Sequence, residues 1–165
     1  MTRARGAGRR AVRHRLGNPG EVRYHRPMQP PPHRGLRHLA LNVRNLPAMR
    51  AFYVDLLGFR VEWEPDADNV YLTSGVDNLA LHRNPEAAGP DAGGAAGAAG
   101  ALDHLGLIVG AAGDVDAWAA FLESHGVTLD MRPKTHRDGA RSCYLSDPDG
   151  NRVQIIHHPP ISGAW

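Results

Sequence analysis

The feature that most constrains this chain is an eight-residue segment that occurs twice. Residues 36–43 read Leu-Arg-His-Leu-Ala-Leu-Asn-Val, and residues 102–109 read Leu-Asp-His-Leu-Gly-Leu-Ile-Val. In each copy a histidine, His38 or His104, stands near the start of a mostly apolar run, which is typical of a strand packed on both faces. A repeat at this spacing indicates a duplicated structural unit. We therefore predict strands over 36–43 and 102–109 that begin two copies of one module.

The segments after the two strands also repeat in order. Asn45 is predicted to cap a helix in the first copy and Asp114 a helix in the second, and a glycine ends each helix. Alternation predicts a half-buried strand over 59–64, and further strands over 69–73, 78–82, 127–131, 141–145 and 152–157. The predicted fold class is α+β, with two βαβββ modules forming a cupped mixed sheet.

Two segments outside the modules have the composition of tails and linkers. Residues 1–34 hold nine arginines and one acid, a net charge of +8, so the formal charge of +2 for the whole chain leaves an acidic remainder of −6. We expect a disordered tail at 1–34, a first module at 35–83, a Gly/Ala linker at 84–101 and a second module at 102–159. The basic tail is compatible with a transit peptide or a nucleic-acid arm, but we favour an upstream extension with Met28 as an alternative start.

The sequence also bears on location and on cysteine chemistry. No apolar run approaches the ~20 residues of a membrane-spanning helix, so we expect a cytoplasmic protein without membrane or nucleic-acid partners. The single cysteine, Cys143, excludes an intramolecular disulfide. We interpret it as a buried strand thiol rather than a nucleophile, which would need an activating base.

The paired histidines are the residues that most directly suggest chemistry. If equivalent strands of the two modules meet, His38 and His104 face one cavity, and two neutral imidazoles suit a divalent ion such as zinc, nickel, iron or manganese. On the last strand, Gln154, Ile156 and His158 share a face by the period of two, which makes Gln154 the candidate third ligand. The alternative is that both histidines are structural residues of a metal-free protein.

Three segments together resemble the vicinal oxygen chelate superfamily, which includes glyoxalases, extradiol dioxygenases and bleomycin-binding proteins. They are the paired histidine strands, the sequence Phe-Tyr-Val-Asp-Leu-Leu-Gly-Phe at 52–59 and the sequence Asp-Pro-Asp-Gly-Asn-Arg-Val-Gln at 147–154. The resemblance covers about residues 36–158. It implies metal ligands at His38, His104 and Gln154, a site-lining Tyr144, a small-molecule substrate and a homodimer. Substrate contacts are expected from His82, Arg137, Arg141 and Ser142.

Position 154 departs from the family pattern, which has a glutamate there. Glutamine leaves the ligand set neutral and cannot act as a general base. The leading hypothesis is nevertheless a divalent-metal enzyme of the glyoxalase and dioxygenase group, whose substrate chelates the ion through adjacent oxygens, with Tyr144 as its catalytic hydrogen-bond donor. The alternative is a metal-free protein that sequesters a small molecule, as bleomycin-resistance proteins do.

Overall fold

A computed structural model describes residues 31–87 and 102–163. The predicted tail at 1–34 and linker at 84–101 lie largely outside these residues. The first module contains β1 (His38–Val43), α1 (Leu46–Ala51), β2 (Arg60–Asp66), β3 (Asn69–Thr73) and β4 (Asn78–Arg83). The second contains β5 (Leu105–Ile108), α2 (Ala112–Ser124), β6 (Leu129–Thr135), β7 (Arg141–Ser146) and β8 (Arg152–His157), and the short helix α3 (Pro159–Ser162) follows it.

Each module forms its own four-stranded mixed sheet. The strand orders are β1-β4-β3-β2 and β5-β8-β7-β6, in which the first pair of each sheet is parallel and the other pairs are antiparallel. This arrangement confirms the predicted α+β fold of two βαβββ modules. The repeated strands are shorter than predicted, because β1 begins at His38 and β5 begins one residue after His104. The predicted strand at 127–131 is displaced, since β6 begins at Leu129 and continues to Thr135.

The helix of each module begins differently. Asn45 caps α1 as predicted, because its side-chain oxygen accepts a hydrogen bond from the Ala48 N–H at 3.2 Å. The prediction that Asp114 caps α2 is wrong. The cap position is Ala111, and Asp114 lies one turn inside the helix, where its carboxylate accepts the Ala111 N–H at 2.8 Å. An acidic side chain at this third position satisfies a free N–H of the helix start as well as a cap residue does.

The first helix continues into a π-helical turn over Phe52–Leu56. The turn is defined by a five-residue backbone hydrogen bond of 3.1 Å from the Leu57 N–H to the Phe52 carbonyl. Apolar periodicity alone does not distinguish such a turn from an α-helix. Tyr53 lies in this turn, and its side chain is fully buried.

Strand β2 is exposed along its whole length, which corrects the prediction of a half-buried strand at 59–64. Phe59, just before the strand, is buried, whereas Trp63 is 58% exposed and stacks on Tyr71 with ring centroids 5.1 Å apart. The alternating pattern is present, but β2 is an edge strand that no other described element covers. Alternation predicts which side chains share a face and does not by itself predict that the face is buried.

The core consists of the sheet faces that pack against α1 and α2. Its residues from both modules belong to one apolar cluster, which includes Met49, Leu81, Val115, Leu122 and Ile155. Cys143 lies in this core, and burial raises the pKa of its thiol to about 11, as expected of an inert strand thiol. In residues 31–87 and 102–163 no helix has the length and apolar character needed to cross a membrane.

A buried polar contact joins the two modules. The Tyr53 hydroxyl donates a hydrogen bond of 3.1 Å to Asp147, which lies in the turn between β7 and β8. Two residues further on, Asp149 accepts the backbone N–H of Arg44 at 2.5 Å. Burial raises the pKa of Asp147, and burial together with the nearby Asp147 carboxylate raises the pKa of Tyr53. The turn is therefore both a local hairpin and the point at which the second module holds the first.

Candidate functional site

The sheet of the second module bounds an open cavity of about 890 Å³. The cavity lies on the open face of the sheet, defined here as the face turned away from the module's helix. The residues of its wall belong to the second module and to α3, which follows it. The polar residues of the wall include His104, His136, Arg137, Tyr144, Gln154 and His158.

Strand geometry explains why these side chains converge. Tyr144 on β7 and Gln154 on β8 are direct partners across the antiparallel pair, so their side chains leave the sheet on the same face. Gln154 also pairs with Gly106 of β5. The predicted sharing of one face by Gln154, Ile156 and His158 agrees with the structure, because all three line the cavity.

Tyr144 is the centre of the polar group in the cavity. The Gln154 amide nitrogen donates a hydrogen bond of 2.7 Å to the Tyr144 hydroxyl oxygen. The His104 ring meets the Tyr144 ring edge-on, with centroids 5.4 Å apart, and the Arg152 guanidinium lies over the same ring at 5.3 Å. Because Tyr144 accepts from Gln154, its own hydroxyl hydrogen is available to another acceptor in the cavity.

The histidine of each repeat is held through the same ring nitrogen. His38 Nδ1 lies 2.7 Å from the side-chain oxygen of Asn78, and the Asn78 amide in turn donates to Glu62 at 2.6 Å. His104 Nδ1 lies 2.5 Å from the carboxylate of Asp103, and this hydrogen bond lowers the pKa of Asp103. A side-chain oxygen on one imidazole nitrogen orients the ring and leaves Nε2 as the lone-pair donor, which is the arrangement typical of metal-binding histidines.

Gly106 lies next to the Gln154 side chain. A β-carbon at position 106 would lie 3.5 Å from Gln154 Oε1 and from the Ile156 side chain. Since the amide nitrogen of Gln154 is bound to Tyr144, Oε1 is the atom left to act as a ligand. The neutral donor set of His104 Nε2 and Gln154 Oε1 fits a borderline divalent ion, and it does so more weakly than a set that includes a carboxylate.

The structure does not bring His38 into this cavity. Its side chain is exposed on the open face of the first module, next to Asn78. The part of the chain that the structure describes contains no group of three or more His, Cys, Asp or Glu side chains arranged to hold a metal ion. The predicted ligand set has two histidines and one glutamine, so it is not a group of this kind. Of these three residues, His104 and Gln154 line the same cavity within one chain, and His38 does not.

The predicted substrate contacts separate into those at the cavity and those elsewhere. Arg137 lines the cavity, and Ser142 lies directly behind the wall, fully buried and 2.7 Å from His136 Nε2. Arg141 faces the helix side instead, where its guanidinium binds both carboxylate oxygens of Asp116 at 2.5 and 2.9 Å. His82 lies on the first module, where it bonds to Asn69 at 2.6 Å.

Several cavity residues were not singled out from the sequence. Gly106 and Ile108 follow His104 at the period of two and could have been found by extending that period along β5. Lys134 and His136 were harder to find, because the pairing of β6 with β7 is irregular between Met131 and Lys134. Such an irregularity changes which side chains face the cavity. Pro133 lies inside it, and a proline within a strand pattern marks a bulge or an edge strand, so this residue was the available signal.

Comparison with known proteins identifies the fold. Residues 35–155 match the family model described as Glyoxalase/Bleomycin resistance protein/Dioxygenase superfamily. An integron cassette protein from the mobile metagenome of the Halifax Harbour sewage outfall is similar at 24% identity, with a TM-score of 0.62 over 76% of this chain and 99% of that chain.

Two further solved structures show the same similarity. A lactoylglutathione lyase from Agrobacterium tumefaciens is 25% identical, with a TM-score of 0.59 over 77% of this chain and 96% of that chain. A glyoxalase/dioxygenase from Nostoc punctiforme is 23% identical, with a TM-score of 0.61 over 76% of this chain and 92% of that chain. At these identities the likeness concerns the fold.

Proposed function

The chain belongs to the Glyoxalase/Bleomycin resistance protein/Dioxygenase superfamily, and on this premise we propose that it is a divalent-metal-dependent enzyme acting on a small substrate that chelates the ion through adjacent oxygens. The observation that carries the proposal is the matched orientation of the two repeat histidines. In each histidine Nδ1 is hydrogen-bonded to a side-chain oxygen, so Nε2 is the nitrogen left to bind an ion. A structural role does not require the same nitrogen to be occupied in both copies.

The residues that would hold the ion are His38, His104 and Gln154 through Oε1. A bound zinc, nickel, iron or manganese ion would polarise an oxygen of the substrate and lower the pKa of a bound water. Two imidazoles and an amide carry no charge, so the ion would keep its full charge in the cavity.

Tyr144 is proposed as the hydrogen-bond donor to the substrate. Gln154 binds its oxygen from behind at 2.7 Å, which fixes the phenol and leaves the hydroxyl hydrogen for an oxyanion that develops on the substrate. Gln154 itself has no titratable proton, so it orients Tyr144 and supplies a ligand atom but cannot accept a proton from carbon.

The complete ligand set requires two copies of the chain in this proposal. His104 and Gln154 line the cavity of the second module, whereas His38 is exposed on the open face of the first. In a homodimer with twofold symmetry, the first module of one copy would face the second module of the other, and each dimer would hold two equivalent sites. The exposed Trp63, at 58% accessibility, lies on the surface that such a partner would cover. A cytoplasmic location remains part of the proposal.

The test is metal uptake by chelator-stripped protein, measured by elemental analysis after dialysis against zinc, nickel, iron and manganese in turn. We expect about one ion per chain for the native sequence and loss of that ion in both His38→Ala and His104→Ala. His125→Gln is the matched control, because His125 lies at the end of α2 and outside the cavity wall. Retention of the ion by His104→Ala would contradict the proposal. Lactoylglutathione is the first substrate to try with the loaded protein.

A metal-free binding protein is the second candidate, and one observation favours it. Trp63 stacks on Tyr71 with an interplanar angle of 28° and remains largely exposed, which provides a flat aromatic surface for a cationic or aromatic ligand. A flat cationic dye that bound tightly in the presence of chelator and was released by Trp63→Ala would support this candidate. Metal uptake by the native sequence without dye binding would exclude it.

A further inference from the structure

We propose that the cavity contains an oxyanion subsite, formed by Lys134 and Arg137, that selects substrates bearing a carboxylate or phosphate group. The inference deepens the proposed function, and it rests on that function only in taking this cavity as the substrate site. The subsite consists of charged residues of the cavity wall, and none of them is a proposed metal ligand.

The first argument is the contrast between the two faces of the second sheet. On the face that packs against α2, each arginine of the β6–β7 pair has an acidic partner on that helix. Arg132 binds Glu123 at 2.9 Å, and Arg141 binds Asp116 through two hydrogen bonds. The cations on the helix side are therefore neutralised by the fold itself.

Two cations of the cavity wall have no acidic partner of this kind. Lys134 pairs with Ser142 in the β6–β7 register and lines the cavity, and Arg137 lines it from the loop that follows. Among the residues that the structure describes, neither side chain contacts a carboxylate. Asp138 is the one acid of the cavity wall, and one of its oxygens accepts the backbone N–H of Ala140 at 3.0 Å.

The loop that carries Arg137 is braced by hydrogen bonds at both of its ends. The His136 N–H donates to the Ala140 carbonyl at 2.7 Å, and the Gly139 N–H donates to the His136 carbonyl at 3.1 Å. Gly139 has φ +84°, a conformation that side chains rarely adopt, and the His136 ring is bound at 2.7 Å to the fully buried Ser142. A fixed loop lowers the entropy lost when Arg137 is ordered around a ligand.

The chemistry of these groups points to an oxyanion. The arginine fork matches the two oxygens of a carboxylate or phosphate, and a nearby lysine adds a second positive charge. Gln154 and Tyr144 on the same wall are neutral polar groups, so they present no negative charge that would repel the ligand. Two unpaired cations in a concave site also raise the local concentration of anions and disfavour cationic ligands.

The experiment is a titration of the metal-free full chain with inorganic phosphate and, separately, with acetate, in the presence of chelator at pH 7.5. Backbone amide shifts in the NMR spectrum report binding by residue. We expect saturable shifts at residues 134–138, with affinity in the millimolar range, and binding at least about tenfold weaker in Lys134→Ala/Arg137→Ala. The anion with the lower dissociation constant identifies whether phosphate or carboxylate is the preferred group.

The control is Arg132→Ala/Arg141→Ala, which removes the same number of charges from the opposite face. We expect this variant to bind as the native sequence does, with thermal melting used to verify that both double variants are folded. Equal weakening in the two variants would show that only net charge matters and would overturn the subsite. Absence of saturable shifts in the native sequence would also overturn it. Because no metal is present, neither result depends on whether the chain takes up an ion.

Discussion

The two modules share a backbone and differ in what their open faces carry. In the first sheet Trp63 pairs with Tyr71, and in the second Met131 pairs with Tyr144, with a register shift on each side of both pairs. Even the irregularities of strand pairing are therefore repeated. Duplication has preserved the strand pairing of the two sheets, and the differences that bear on the site lie in the side chains of the open faces.

The side chains opposite the two tyrosines differ most in chemical character. Tyr71 faces Ala80 across the β3–β4 pair, whereas Tyr144 faces Gln154 across the β7–β8 pair. An alanine offers no polar atom, so Tyr71 packs against Trp63 and His82 instead. In the second module the polar side chain opposite the tyrosine, Gln154, lines the cavity described above. The first module contributes its histidine and an exposed aromatic surface.

The largest effect predicted from this comparison concerns the last hairpin of each module. Asp147 accepts four hydrogen bonds, one of them from the buried Tyr53 of the other module. Asp77 in the equivalent turn bonds only within its own hairpin, chiefly to Ser74. We expect Asp147→Ala to lower the free energy of unfolding by about 3–5 kcal/mol and Asp77→Ala by about 1 kcal/mol, measured by urea denaturation. Equal losses would mean that the contact between the modules contributes little.

The next prediction restores a carboxylate to the proposed site. Gln154→Glu adds a negative charge to the ligand set, and we expect metal affinity to rise by about tenfold, or 1.4 kcal/mol, by competition with a chelating dye. Ala80→Glu should have a similar effect if the first module of a second copy completes the site. Ala120→Glu, on the exposed side of α2, is the charge-matched control and should have no effect. Because Ala80 is fully buried, thermal melting is used to verify that Ala80→Glu is folded. A folded Ala80→Glu that leaves metal affinity unchanged would mean that the first module is not part of the site.

A smaller effect is expected at the equivalent positions Ala40 of β1 and Gly106 of β5, whose side chains differ by one methyl group. Ala40 pairs with Ala80, and Gly106 pairs with Gln154. Gly106→Ala would place its methyl in ordinary contact with Gln154 Oε1, so we expect stability to rise by about 0.5 kcal/mol while metal affinity falls severalfold. Ala40→Gly should lower stability by about the same amount and leave metal affinity unchanged. Unchanged metal affinity in Gly106→Ala would remove Oε1 from the ligand set.

The smallest effect is the pH dependence of one carboxylate in each module. Burial raises the pKa of Asp147, so the native state holds this proton more tightly than the unfolded state. Its contribution to stability is greatest below the ordinary pKa of an aspartate and declines as pH rises through the raised pKa. A hydrogen bond from Asn69 lowers the pKa of Asp66, whose contribution is present above the ordinary pKa and is lost as pH falls.

Unfolding measured against pH for Asp147→Asn and Asp66→Asn compares these two carboxylates directly. As pH falls, the free energy of unfolding of the native sequence should increase relative to that of Asp147→Asn. It should decrease relative to that of Asp66→Asn. Slopes of the same sign would contradict the assignment of burial as the dominant influence on Asp147.

The sequence was informative wherever a local pattern determines geometry. The period of two on the last strand predicts that Gln154 and His158 share a face, the repeat singles out His104, and all three line the cavity. Contacts distant in sequence were not predictable in this way. The pairing of Arg141 with Asp116 and of Tyr53 with Asp147 depends on how helix and sheet pack. The alternation at 59–64 likewise does not predict whether another element covers β2.

The central claim is that His38 and His104 meet only when two copies of the chain associate. The direct test is to refold a one-to-one mixture of His38→Ala and His104→Ala, neither of which should take up metal alone. In a site shared between copies, half of the random dimers contain both variants and each such dimer has one intact site, so the mixture should regain about a quarter of the native metal content. A site formed within one chain predicts no recovery, and that result would contradict the claim.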